Sequence, residues 1–560
     1  MSLEKDDSLT KDNSVQVEDA VAVHDLKELG YEPELIRSRG LPHILFSASS
    51  RLRLVALTTL TPYAVVACGL AAPIATSLIG GGPATMFWGL LFVSLLTLAI
   101  ALSLAEIASA YPTAGGPYYW TLRRHQLAAF LRRHRLLLSY VTGWLVITGD
   151  WMLALSAAFG TAQFFVAGVG IYHPEWEATA WQTYLIFLGI LLLIGVLCIF
   201  CNRLLPILEI ISACWIVLGL VAILACLPAR ARAGRHSAEF AFTHFDESFS
   251  GWPPGWTFFI GLFPPGYTFS GVGMIASMAE EVHRPALNVP RAMVWSVPIG
   301  CLMGIAFVLP INFTLPDVAE LLDVTSVQPI AAMFTMVMGS KGGGFGLWFI
   351  VFIIALFCSI SINCAASRAT WSFARDKGLP FHRILARVDT RFTFTRLASD
   401  ASSGSDSSSQ SSAPAALPVN ALLLSLAIQA LLGLVYLGSS AAFNAFVGVE
   451  AMCLGASYAV PILVLMLNGR KGLGGRRGGP PYALGRWGWV ANIVAVLWVG
   501  LEMVLFSMPA VLPVEKETMS ESHIDYASVV FVGFAVISAA WYMISGRYQY
   551  TGPPAVEHDE

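Results

Sequence analysis

Charge is what this sequence has least of. Only 12% of its 560 residues are Asp, Glu, Lys or Arg, against roughly 25% in a soluble protein. A soluble chain of this length folds into several domains, each with a charged surface, and too little charge is present to coat them. Hydrophobic residues supply 56%, so the bilayer is the natural solvent. A basic excess is also missing. The net charge is -3 and no basic domain stands apart, so nucleic acid is not an expected partner. The nine cysteines all fall inside apolar runs, which excludes a disulfide-stapled secreted scaffold. The eleven histidines show no HExxH spacing, and there is neither a Walker loop nor a GxSxG elbow. No enzyme, metal or cofactor is therefore expected. The first fifty or so residues are polar and mixed in charge, so no cleavable leader is expected.

What is present is a series of long apolar runs. A membrane-spanning helix needs about 20 mostly apolar residues. Twelve runs qualify: 54–78, 83–110, 137–169, 181–201, 204–226, 256–278, 293–311, 345–373, 419–437, 441–467, 487–512 and 526–544. They are numbered here as spans 1 to 12. The expected organisation starts with a tail (1–53) and a first five-helix repeat (54–227). An outer loop (228–255) leads to a second five-helix repeat (256–467) with a Ser-rich, flexible insert at 399–413. A loop with the last two helices (468–545) and a short tail (546–560) complete it. Of the 33 Lys and Arg, 28 fall on the side that carries both termini, and the positive-inside rule makes that side cytoplasmic. The basic cluster at Arg132, Arg133, His134 and Arg135 fits this role beside the membrane. Asn312-Phe313-Thr314 is a sequon on the other side, but it sits too near a helix end for glycosylation to be expected. No loop is large enough for a soluble catalytic domain.

Two spans are interrupted. Span 1 carries Pro62, then Tyr63, Ala67, Cys68 and Gly69; span 6 carries Pro264-Pro265-Gly266, then Gly271 and Gly273. Proline in a helix interior removes a hydrogen bond and clashes with the preceding turn. At membrane depth the freed backbone must be satisfied by protein, water or a ligand. One broken helix per half points to inverted repeats with a binding site at the breaks. Half-helix ends attract carboxylates at N-termini and cations at C-termini, so an amino acid can use both. The aromatics Tyr63, Phe263, Tyr267 and Phe269 lie near the breaks, where they can close a pocket, hold an amine by cation–π contact, or only pack helices.

Four further blocks carry a resemblance. They are 29–37 (LGYEPELIR) before span 1 and 105–120 (AEIASAYPTAGGPYYW) after span 2. MAEEV at 278–282 with NVPRA at 288–292 follows span 6, and FARDKGLP at 373–380 follows span 8. In these the chain resembles the amino acid–polyamine–organocation transporters, and in particular the fungal amino acid/choline/GABA permease branch. The resemblance implies an all-α polytopic membrane protein of twelve helices. A LeuT-like core of two inverted five-helix repeats would carry two extra helices and work by alternating access. It also implies that spans 1 and 6 contact the solute with help from spans 3, 8 and 10, while the quoted blocks shape a cytoplasmic gate. Some sodium-independent relatives place a lysine in span 5; here span 5 has none, and span 8 supplies Ser359, Ser361, Asn363 and Ser367. The coupling ion is thus open between proton and sodium, with the proton expected from the fungal resemblance.

A charge at membrane depth costs at least roughly 2.5–3.5 kcal/mol, so each one needs an account. Asp150 in span 3 and Glu450 in span 10 lie midway along helices that border the central site in the resembled fold. Each is expected either to take a substrate ammonium or coupling proton, or to be a structural carboxyl. Glu502, in span 11, reads as structural. The candidate solute-site residues are thus Tyr63, Ala67, Cys68, Gly69, Asp150, Phe263, Pro265, Gly266, Tyr267, Phe269 and Glu450. Glu106, Glu280 and Glu281 are expected to pair with Arg291, Arg368 or Arg375 as a gate. The expected function is proton-coupled movement of an amino acid or GABA-like amine across the plasma or another membrane. The alternatives are an organic cation (choline, thiamine or a polyamine) as solute, and a nutrient sensor built on the transporter fold.

Overall fold

A computed structural model describes residues 23–24, 26–32, 34, 63–122, 134–201, 204–231, 234–322, 328–389, 417–438, 442–474, 480–512 and 527–554. Among them the structure is helical throughout, with only isolated bridges at Gly81–Asp246 and Asp389–Leu417. Eleven helices are long and apolar enough to cross a membrane, from Gly82–Ala110 (span 2) to Ala527–Gln549 (span 12). Span 1 is described from Tyr63 onward, as two helices, Tyr63–Ala71 and Ile74–Ile79. Pro62, the Ser-rich insert and most of the 2–3 loop's basic cluster lie outside the described residues.

The helices satisfy their own backbones, which is the only option in hydrocarbon apart from a closed barrel. Their side chains sort them by depth in the bundle. Span 3 (Arg135–Tyr172) is 89% buried over its apolar window, whereas span 12 is 11% buried. Leu192 on span 4, Leu218 on span 5 and Ile537 on span 12 stand exposed, as befits a lipid-facing surface. Pairing follows a two-fold logic. Span 1 packs on span 6, span 2 on span 7, span 3 on span 8 and span 4 on span 9. The contact of span 3 with span 10 is matched by that of span 8 with span 5. This pairing accords with the two-repeat core. A short apolar helix, Pro329–Met338, packs against spans 3, 5 and 8. On the face away from the termini, Ala238–Thr243 packs against span 7. There the Asn312 amide donates to the carbonyls of Pro83 (2.9 Å) and Ala241 (3.1 Å). The sequon asparagine is fully buried.

Span 6 breaks differently from the sequence expectation. Its helices are Pro254–Ile260 and Phe263–Ser270, followed by a 3-10 helix at Gly271–Glu281. The break is at Gly261-Leu262. Pro264 and Pro265 do not lie in it; they open the next helix, where missing N–H groups cost nothing. Glycine permits the crossing with span 1, since a Cβ on Gly80 would overlap the Gly261 backbone. The Ser77 hydroxyl donates to the Gly261 carbonyl at 3.1 Å.

Candidate functional site

Below that crossing, spans 1 and 6 run close together. A Cβ on Gly69 would lie 2.6 Å from the Thr268 hydroxyl. Cys68 lies against Cys358 of span 8, and the Tyr267 hydroxyl meets that of Ser156 on span 3 at 2.9 Å. Phe263 packs edge-on against Phe506 (5.0 Å). Phe269 lines two small cavities at the end of its helix, while Pro265 and Gly266 are buried. Tyr63 and Ala67 lie on the first helix of span 1.

Three buried acids surround the point where span 6 turns into its 3-10 segment. Asp150 lines a cavity with Tyr118, Gly273, Ser277 and Tyr458. Glu450 lies beside Ser270, and its charge couples to Glu502 and Asp150. Neither carboxylate of Asp150 or Glu450 accepts a well-formed hydrogen bond; the Ser270 hydroxyl is spent on the Tyr267 carbonyl at 2.8 Å. No Lys or Arg lines these cavities. An ionised carboxylate buried without a partner costs several kcal/mol. A bound proton or an external cation removes that cost.

The face that carries the termini is built the opposite way, because Glu106, Glu280 and Glu281 each have an arginine there. Arg368 donates to Glu281 at 2.8 Å, and Arg375 grips Glu280 through both nitrogens at 2.9 and 3.0 Å. Arg470 donates to Glu106 at 2.6 Å, and the Leu484 amide adds a bond at 3.0 Å. The tail joins this layer. The Arg375 guanidinium lies 4.0 Å from the Tyr31 ring centroid. Tyr31 and Tyr118 both donate to Asp376, at 2.8 and 2.9 Å. Burial pushes the Asp376 carboxyl up to about 6, against the pull of Arg375 and the two tyrosine hydroxyls. Gly30 rests on Pro554, so both tails meet here.

A family model described as amino acid permease matches residues 50–536. The chain belongs to the amino acid permease family. Similar proteins include the choline transporter of Saccharomyces cerevisiae, 28% identical over 496 residues, covering 88% of this chain and 80% of that one. The polyamine transporter TPO5 of the same yeast is 28% identical over 493 residues (87% and 74%). The amino-acid permease BAT1 of Arabidopsis thaliana is 29% identical over 542 residues (94% and 95%). This permease is thus an integral multi-pass membrane transporter of the APC superfamily, not an enzyme.

Of the permease's candidate gate residues, Glu280, Glu281, Arg368 and Arg375 come together, Glu106 finds Arg470 instead, and Arg291 stands exposed apart from these pairs. Sequence reasoning did not assign Arg470, Tyr31, Tyr118, Asp376 or Tyr458 to either site, and it left Glu502 a structural part. The tail block holding Tyr31, the signature holding Tyr118 and the FARDKGLP block holding Asp376 gave a signal; Arg470 and Tyr458 lie in no such block.

Proposed function

We propose that this permease moves a positively charged amine by alternating access, with Asp150 and Glu450 receiving the amine and the proton as coupling ion. The carrying observation is two buried carboxylates without hydrogen-bond partners beside the broken span 6, one of which, Asp150, lines a cavity with no basic residue. Either acid can hold a proton when no solute is present, which is the minimum needed for coupling.

A specific feature favours an organic cation over a zwitterionic amino acid or GABA. A solute carboxylate would seek the N-terminus of the Phe263–Ser270 helix. Prolines occupy two of its first positions, and proline has no N–H to donate. Similarity to choline and polyamine transporters agrees with this reading. The bias of 28 of 33 basic residues supports a cytoplasmic side for the termini and the ion-pair layer, with the plasma membrane as the expected location. The ion-pair layer then acts as the cytoplasmic gate.

The test is uptake into vesicles holding the purified protein, with an acid-outside gradient. Labelled choline, putrescine and GABA are compared, each with and without the gradient. Gradient-driven uptake of choline or putrescine supports the reading. Uptake of GABA alone restores the amino-acid solute, and no counterflow of any solute leaves a sensor.

A further inference from the structure

We propose that Glu502, on span 11, is a third acidic wall of the solute site and selects solutes that carry a second positive charge. The inference rests on the amine-site reading above. Span 11 lies outside the two five-helix repeats, yet the structure turns Glu502 inward. Its carboxylate lines a cavity with Phe269, Ser270, Val272, Gly455 and Tyr458. Two missing side chains let it in: one carboxylate oxygen lies 3.3 Å from the Cβ position of Gly266, the other 3.8 Å from that of Gly455. Glu502 is thereby wedged between spans 6 and 10.

Tyr458 is common to the Glu502 cavity and the Asp150 cavity. Its hydroxyl is buried and makes no hydrogen bond, so the partition between the two cavities carries an unused polar atom. Glu450 feels the charge of both Asp150 and Glu502. Asp150 and Glu502 face different cavities with Tyr458 between them, so one compact ammonium cannot sit against both. It would neutralise part of the site and leave another acid buried and unpaired. A solute with two amines joined by methylenes reaches both ends, and Ile100, Phe269 and Val272 offer the methylenes an apolar wall.

The test uses the full chain in vesicles, with labelled putrescine and labelled choline. Glu502→Gln is expected to raise the KM for putrescine roughly tenfold or more, with maximal rate retained and choline transport unchanged. Glu502→Asp is expected to restore most of the putrescine affinity. A loss shared equally by both solutes, or no loss in either, overturns the proposal. A second readout needs no variant: α,ω-diamines should compete with choline uptake better than monoamines of equal length, and equal competition overturns the proposal. Wild-type protein that carries choline but not putrescine overturns it while leaving the amine site standing. Wild-type protein that carries neither overturns both.

Discussion

Glu106, Glu280 and Glu281 at the terminal face and Asp150, Glu450 and Glu502 in the middle are buried to nearly the same degree. Their surroundings differ. Each of the first three meets an arginine within 2.9 Å, and none of the second three meets any. Burial alone therefore does not say what an acid is for. A buried acid with its cation built in fixes one helix to another. A buried acid without one is, on the function proposed above, a place for a cation that comes from outside the chain.

Four experiments break or sharpen this contrast. The largest effect is expected in the middle. Asp150→Asn or Glu450→Gln should cut amine uptake roughly thirtyfold or more, because a desolvated charge loses its counter-charge. Melting temperature should hold or rise, since an unpaired buried charge is removed; full uptake in both variants would take these acids out of the site. At the terminal face the order reverses. Arg368→Met should cost about 3–5 kcal/mol of stability by orphaning Glu281, read as a lower thermal midpoint in detergent. Adding Glu281→Leu should recover much of it, and no recovery would mean the pair is not a unit.

A smaller loss is expected where spans 1 and 6 cross. Gly80→Ala forces the Gly261 backbone away, at about 1–3 kcal/mol, again read by melting. The smallest is Tyr31→Phe, which keeps the ring under Arg375 but removes one hydrogen bond, about 0.5–1.5 kcal/mol. Asp376 gives this variant a pH signature. Its folded carboxyl titrates at about 6, above the ordinary value of roughly 3.9. Between those values the folded protein holds more protons than the unfolded one, so this group's contribution to stability falls as pH rises from about 4 to 6. Losing the Tyr31 donor should extend that fall to higher pH, and Asp376→Asn should flatten it. Melting curves across pH 4 to 7.5 would show both.

Much of the fold was legible because hydropathy needs no long-range knowledge. The runs assigned to spans 2 to 12 reappear as helices with ends shifted by a few residues, by seven at the end of span 11, which stops at Leu505, and by eight at the start of span 7, where the polar turn Pro285–Ala292 is helical. In span 6 the change of winding at Gly271 falls where the glycines were read, but the prolines mark the first turn of a new helix and not the break before it, because proline is tolerated there. The pairing of Arg368 and Arg375 with Glu281 and Glu280 was within reach, since both sides lie in compact blocks. Arg470 was not, for it meets Glu106 across 364 positions. The inward position of Glu502 was out of reach for a similar reason. Its access depends on the missing side chains of Gly266 and Gly455, a packing fact that no local pattern encodes.

The Gly271–Glu281 segment joins the two sets of acids: one end abuts the Ser270 pocket and the other ends in Glu280 and Glu281. A 3-10 helix rises about 2.0 Å per residue and an α-helix about 1.5 Å. Rewinding its eleven residues into α-helix would shorten the segment by about 5 Å. The segment is in that sense a strut with two lengths. A solute bound as proposed beside Ser270 and the arginines that hold Glu280 and Glu281 would then act on the two ends of one segment.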